Sequence, residues 1–378
     1  MNSSESSNGT THDTETNDTE TNDTDWQTQW LRLLAGPVPT GTFKNVHADF
    51  VVHEVLGFAP EPIEKGQHHW LHIEKAGVNT AQVAKNIARF LDIPARNISF
   101  SGMKDRFGIT RQWFSVELPA LAEPDWQECM QTSFADGQVA LLEHVRSHRK
   151  LRRGVHKANN FNIVLRDISD MALAEERLAL VAQSVANYFG EQRFGIDRQN
   201  LPQAIDMFAG KRIKNRDLRG ILLSSARSWL FNEYLCARIA QHGAALIPGD
   251  VFILSGSHSF FTAEEITPEL EQRVAEGDVA VSGPLFGDGE SLATGQSAEF
   301  ERNVLGNWPK LQDGLRKARL QQERRPLFIQ PANFAWQQLD ATSLELTFTL
   351  PTGSFATTVL AELGDFNSRE RAQFEHRS

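Results

Sequence analysis

Cysteine is scarce: Cys129 and Cys236 are the only two in 378 residues. A disulfide framework is thereby excluded, and a reducing compartment, the cytoplasm, is expected. No apolar run approaches the roughly 20 residues that a membrane-spanning helix needs. The N-terminus, MNSSESSNGTTHDTETNDTE, lacks the basic start and apolar centre of a secretory signal. Nucleotide-binding patterns are missing too: there is no GxxxxGK[ST], and no GxGxxG follows a strand. Neither a GxSxG elbow nor a CxxC or HExxH pattern occurs. The histidines of HHWLH (His68, His69 and His72) do not share a strand face, since alternation turns His69 away from the other two. They read as ordinary surface or interface histidines, and no metal is expected.

Bases are absent from residues 1–25, which carry seven acids and the repeat TETNDTETNDTD. Such a segment holds too little apolar surface to offset its ordering entropy and reads as a disordered tail. Without it the formal charge of −10 shrinks to about −3, with 41 acids against 38 bases. What matters for a phosphate ligand is where those bases lie. Three runs concentrate them: RSHRKLRRGVHK (146–157), KRIKNRDLR (211–219) and RKARLQQERR (316–325). Any one run is usually a solvated face. Three together in a nearly neutral body suggest a surface that follows an RNA backbone. Phenylalanine supplies stacking surface, outnumbering tyrosine 24 to 2.

Periodicity gives the elements. HADFVVHEVL and HHWLHIEK read as strands, and NTAQVAKNIARFLDI reads as a helix with Val83, Ile87, Phe90 and Leu91 on one face. ISFSGMKDRFGITRQWFSVEL reads as strand, glycine-punctuated loop, strand. FNIVLRDI alternates Phe161, Ile163 and Leu165, and MALAEERLALVAQSVANYFG reads as a long helix capped at Gly190. Helical and glycine-rich pieces follow over 196–328. SLELTFTLP then returns to strict alternation, with Leu344, Leu346, Phe348 and Leu350 on one side. A strand so late must pair with something already built. The class is therefore α+β, a mixed and largely antiparallel sheet with a second domain inserted.

The segment SGMKDRFGITRQWFSV (101–116) resembles the catalytic motif G-x-K-D-x-x-x-x-T-x-Q-x-x-S of the TruD family of tRNA pseudouridine synthases. Gly102, Lys104, Asp105, Thr110, Gln112 and Ser115 fall in the matching places. DFVVHEVLGFAPEPIEKGQHHWLHIEKAGVNT resembles the family's N-terminal segment, with Asp49, Phe50, Glu54 and Lys75 in register. ANNFNIVLR is similar to its G-N-x-F motif through Asn159 and Phe161, with Ala158 where Gly is usual. NYFGEQRFG (187–195) matches almost letter for letter, and SARSWLFNEYL, SGPLFG and LPTGSFATTVLAEL continue the series in order.

This resemblance, covering residues 43–363, implies a pseudouridine-synthase catalytic domain interrupted by an α/β TRUD domain, with a positively charged cleft between them. The division is then a tail over 1–25, catalytic sequence over 26–180, the insertion over 181–328 and returning catalytic sequence over 329–378. The activity implied is isomerisation of uridine 13 in tRNA to pseudouridine. It needs no cofactor and no metal, and a monomer with tRNA as its partner is expected. Asp105 takes the nucleophile's place, while Phe50, Asn159, Phe161 and Phe355 take the places that contact the target nucleotide. Whether the carboxylate attacks the sugar, attacks the base or removes a C2′ proton stays open. Lys104, Arg106 or a cation from elsewhere in the cleft would keep it charged. Arg193 could pair with a carboxylate or phosphate, though the glycines around it suit a mainly architectural segment.

Two other readings compete: an RNA-binding protein without catalysis, and a nucleoside glycosidase. An acid in a phosphate-binding cleft argues against the first, and the lack of a second compelling carboxylate argues against the second. Because the acidic tail has no apolar anchor, deleting residues 1–24 is expected to leave turnover unchanged and unfolding free energy within about 1 kcal/mol. Chemical denaturation of the truncated chain checks this.

Overall fold

The computed structural model describes residues 26, 29–119, 122–135, 137–257 and 259–368, so the acidic tail lies outside the described residues. The chain first builds strands β1 (Thr40–Phe43), β2 (Phe50–Val55) and β3 (His68–Ala76), then helix α1 (Thr80–Phe90). Strands β4 (Ile98–Phe100) and β5 (Ile109–Glu117) follow, then α2 (Trp126–Ser133), β6 (Val139–Ser147), β7 (Ala158–Arg166) and α3 (Met171–Val181).

A short strand, β8 (Val185–Ala186), leads into α4 (Asn200–Phe208) and the long α5 (Arg216–His242). Beyond these come β9 (Asp250–Leu254), β10 (Phe260–Ala263), α6 (Pro268–Ala275), β11 (Val279–Leu285), α7 (Gly295–Leu305) and α8 (Pro309–Lys317). Strands β12 (Glu323–Pro326), β13 (Phe328–Ile329), β14 (Ala332–Asp340) and β15 (Ser343–Pro351), helix α9 (Ala356–Leu363) and β16 (Asp365–Ser368) complete the described chain.

The principal sheet runs β14-β15-β7-β2-β5-β3-β6, with β1 beside β7 and β16, and β4 beside β5. Its pairings are antiparallel except β2 with β5 and β1 with β16. The late strand β15 pairs with β7 from Leu344–Leu165 to Pro351–Ala158. Its alternating Leu344, Leu346, Phe348 and Leu350 bury the face that α3 and α9 cover. On the other half of the sheet, α1 and α2 cover Leu71, Ile73, Phe114 and Val116, and Val83 and Ile87 of α1 are fully buried.

Between β8 and β13 the chain makes a core of its own. Strands β10-β9-β11-β12 form a second sheet, and α5 buries Trp229, Leu230, Phe231 and Tyr234 against it and the neighbouring helices. Trp26 and Trp30 pack on this second core: Trp26 stacks on Trp308 at 5.4 Å, and Trp30 stacks on Tyr188 at 5.6 Å.

Three expectations need correction. The helix read as far as Gly190 stops at Val181. Val185–Ala186 pairs instead with Phe328–Ile329, and Asn187 donates from Nδ2 to the Pro326 carbonyl at 2.9 Å. Tertiary pairing overrides the helical propensity of the alanine-rich run.

The histidines of HHWLH are not surface groups: His68 and His69 are buried, and His69 stacks on His144 of β6 with 3.0 Å between ring nitrogens. Burial, followed by the charge of His144, pushes the His69 imidazole down to about 4. The third basic run is only partly a surface run, because Arg324 and Arg325 are withdrawn from solvent.

One buried cation joins the parts. Arg177 of α3 is 3% exposed and donates to the carbonyls of Leu34, Ala35, Pro37, Glu362 and Leu363. Replacing it strands five acceptors at once. Arg177→Met is expected to cost about 3 kcal/mol or more, measured by denaturant unfolding. A loss below about 1 kcal/mol would contradict that role.

Candidate active site

Residues 101–108 connect β4 to β5, and their course is fixed from below. Gln112 donates from Nε2 to the Gly102 carbonyl at 3.1 Å, and its Oε1 accepts from the Thr80 hydroxyl at 2.8 Å. The same hydroxyl accepts from the Lys104 backbone N–H at 3.0 Å. Thr80 stands at the start of α1 and Gln112 lies within β5, so a helix end and a strand clamp the loop together. The loop closes at Gly108, whose φ of +146° and close approach to the Phe50 carbonyl leave no room for a Cβ.

Above that clamp the charges are sorted into two pairs. Glu54 of β2 has a fully buried side chain and takes the Lys104 ammonium at 2.9 Å. It also accepts from the Ser101 hydroxyl and from the Trp113 N–H. Lys104 therefore does not serve Asp105, and Arg106 turns to the Gly77 carbonyl at 3.0 Å. The cation on Asp105 is Lys44, just beyond β1. Asp105 accepts from the Lys44 ammonium through Oδ2 and from the Phe107 N–H through Oδ1 at 3.1 Å. Lys75 of β3 supports the same residue from behind, donating to its carbonyl at 2.8 Å. Of the pair, Lys44 is the covered member and Asp105 the more exposed, with side-chain exposures of 6% and 21%.

Lys44 adopts φ +58°, a left-handed conformation unusual for a residue with a Cβ. Its ammonium lies 4.4 Å from the centre of the Phe50 ring, a cation–π contact. Phe50 meets Phe161 at 6.2 Å, and Phe161 stacks on Phe348 at 5.3 Å. A continuous line of contacts therefore links Asp105, Lys44, Phe50 and Phe161. Both phenylalanines are core residues, offering only a small patch of ring outward.

Asn159 precedes Phe161 by two on the same face of β7, opposite Glu54 of β2 and Leu350 of β15. It is buried, and its side-chain carbonyl has no hydrogen-bond partner among the described residues. An orphaned acceptor is costly, so a ligand donor there would be favoured. Phe355, just past β15 at the start of α9, is half-buried and packs on Phe189 at 6.2 Å. Arg193 shares that neighbour, with its guanidinium 5.5 Å from the Phe189 ring centre.

Exposed bases form two groups. The β6–β7 loop exposes Arg149, Lys150, Arg152, Arg153 and Lys157 immediately before Asn159, and Lys211, Arg212, Lys214, Arg216 and Arg219 are exposed at the start of α5. Sequence reasoning did not find Lys44. It lies 61 residues from its partner in no local pattern, and its one oddity, the left-handed backbone, is invisible in the sequence. Glu54 and Lys75 were in register with a family segment but carried no role.

Comparison with known proteins shows the family of this chain. The sequence profile described as tRNA pseudouridine synthase D (TruD) matches residues 33–205 and 203–363. The chain belongs to the TruD family of tRNA pseudouridine synthases. The tRNA pseudouridine synthase D of Aeromonas hydrophila is 44% identical over 333 residues, covering 88% of this chain and 92% of that one. That of Pseudoalteromonas atlantica is 40% identical over 341 residues, covering 88% and 95%. A crystallised protein of Methanosarcina mazei, described as a TruD protein, shares the fold. Its TM-score is 0.63 at 20% identity, with 88% of this chain and 95% of that one covered. As a member of this family the chain is an isomerase, and its fold is the mixed-sheet architecture described above.

Burial, against the opposing pull of Asp105, lowers the Lys75 ammonium to about 8. An unfolded lysine titrates near 10.4, so between those values the unfolded chain binds more protons and stability rises with pH. The cost of burying Lys75 charged is thus present below pH 8 and relieved as pH climbs. The unfolding free energy of the parent chain minus that of Lys75→Met should therefore increase from pH 8 to 10, by at most about 3 kcal/mol. A flat difference would contradict a depressed lysine.

Proposed function

We propose that the protein isomerises uridine 13 of tRNA to pseudouridine with Asp105 as nucleophile. The observation that carries this reading is the Lys44–Asp105 pair, a carboxyl group presented at a loop and held by a covered lysine. Breaking the N1–C1′ bond leaves an electron-poor sugar carbon that a carboxylate can bond to. The freed uracil turns and rejoins through C5 as the carboxylate leaves; C5 then gives up its proton and N1 gains one, so the overall change is an isomerisation with no added reactant. Such chemistry on a stacked base requires the nucleotide to be extruded.

In this account Phe50 and Phe161 back the extruded nucleotide with Lys44 beside them, and Asn159 offers its unpartnered carbonyl to the uracil N3–H. Phe355 closes the pocket from the end of β15, where stacking on a base contributes about 1–3 kcal/mol. Lys104 holds the loop through Glu54 and does not touch substrate. The bases before β7 and on α5 follow the RNA backbone, which makes tRNA the partner. The sequence over 26–180 and 329–378 forms the catalytic part, and 181–328 is the TRUD insertion. A monomer acting in the cytoplasm without metal or cofactor suffices for these steps.

A glycosidase would use a second carboxylate to activate water, and Glu54, the acid paired with Lys104 of the same loop, is fully buried. Asp105→Asn keeps the shape of the side chain and removes its charge. No detectable pseudouridine is expected, with tRNA affinity retained within about threefold because one charge repelling phosphate is gone. Product analysis and binding on one purified, melting-checked sample test this. Appreciable turnover by the variant would move the chemistry elsewhere.

A further inference from the structure

Arg325 of β12 is 8% exposed, and every hydrogen bond it makes is to a neutral acceptor. It donates to the Asn187 carbonyl at 3.0 Å, to the Asn187 side-chain oxygen at 2.6 Å and to the Gly353 carbonyl at 2.9 Å. Its guanidinium lies 4.1 Å from the centre of the Phe189 ring. Arg193 lies over the same ring at 5.5 Å and is half-buried, and among the described residues its guanidinium donates only to the Ser224 hydroxyl, at 3.2 Å. Neither arginine forms an ion pair among the described residues.

Two guanidiniums sharing one aromatic ring without a carboxylate form an unusual arrangement. Buried charges are ordinarily paired, and removing a counter-charge from a buried cation is strongly destabilising. Arg238 and Arg324 follow that rule, with Asp250 at 2.7 Å and Glu301 at 2.6 Å, while Arg177 is satisfied by five backbone carbonyls that use its whole guanidinium. Burial lowers Arg325 to about 9, and the neighbouring charge of Arg193 adds to the fall. The pair therefore lacks an anion, and Arg193 keeps Nε and Nη2 unengaged by the described residues. That is the planar fork that binds a phosphate with two parallel hydrogen bonds.

The surroundings say which phosphate fits. Phe189 touches Phe355, and Arg325 bonds the turn at Gly353 from which Phe355 emerges. An anion on Arg193 would thus lie one ring away from the residue assigned to close over the target nucleotide. We propose that Arg193, backed by Arg325, receives a backbone phosphodiester of the substrate RNA close to the extruded uridine. The inference rests on the proposed function for the identity of the RNA. It assigns to the NYFGEQRFG segment a binding role in addition to its architectural one. Filling the site supplies the missing counter-charge and anchors the segment against Phe355, so phosphate binding and nucleotide capture reinforce each other.

The test compares the parent chain with Arg193→Gln on an unmodified tRNA transcript across a salt series. Loss of one phosphate contact should reduce the log–log slope of affinity against salt by about 0.7–0.9 and weaken binding about tenfold at low salt. In a scan of transcripts carrying single methylphosphonate linkages near uridine 13, one linkage should weaken the parent and leave Arg193→Gln unaffected. An unchanged slope, or a scan in which both proteins respond alike at every linkage, would overturn the proposal. Should the variant not fold, phenylglyoxal labelling of the parent decides. Bound tRNA must slow modification of Arg193, and an unaltered rate overturns the proposal. Pseudouridine formation by the parent in the same buffers is scored separately. Its absence would sink the functional reading, whereas altered salt slopes report the phosphate site alone.

Discussion

The pairing of Asp105 with Lys44 is the interaction on which the proposed site depends. In the proposed reaction an acid works beside the phosphates of RNA, which favours a cation at its side. Holding Lys44 in place occupies several elements. Strand β1 delivers it in a left-handed conformation, and Phe50 of β2 lies against its ammonium. The loop bearing Asp105 is fixed by Thr80, Gln112 and the Lys104–Glu54 pair. Separate pairing is what makes the arrangement work. Were Lys104 free, two lysines would compete for one acid, and Glu54 would be left charged in the core.

The same principle runs through the sheet. Strand β7 contributes Asn159 and Phe161 to one face, where β2 on one side supplies Phe50 and Glu54 and β15 on the other supplies Phe348 and Leu350. Core and site are therefore one continuous surface, with the apolar end sealed by α3 and α9 and the polar end carrying the loop. Because β15 arrives after more than a hundred residues of intervening chain, closing this sheet also brings the second core, with Phe189, Arg193 and Arg325, up against Phe355.

Much of this was legible in the sequence where the information is local. The period-two strands at Phe161–Leu165 and Leu344–Leu350 and the helical face of Val83 and Ile87 follow from side-chain geometry alone. Asp105 stood out through the residues around it. What escaped was non-local. The sequence offers no reason to choose Lys44 over Lys104 as the cation, because the choice is made by which acids lie within reach once β2 and β5 are side by side. The alanine-rich run after Val181 looks helical until Phe328–Ile329 is there to pair with it. The run at 316–325 looks like a surface stripe until β12 draws Arg324 and Arg325 inward. In each case local preference yields to a contact made far along the chain.

In the proposed reaction Asp105, held by Lys44, meets the sugar of an extruded uridine. A structure of the protein bound to tRNA carrying 5-fluorouridine at position 13 tests it most directly. The account predicts that nucleotide outside the base stack, with its C1′ within about 3.5 Å of an Asp105 carboxylate oxygen or bonded to it. The uracil edge would lie at Asn159 and the ring near Phe161 and Phe355. A position-13 nucleotide still stacked in the tRNA, or extruded into a pocket remote from Asp105, would contradict the claim.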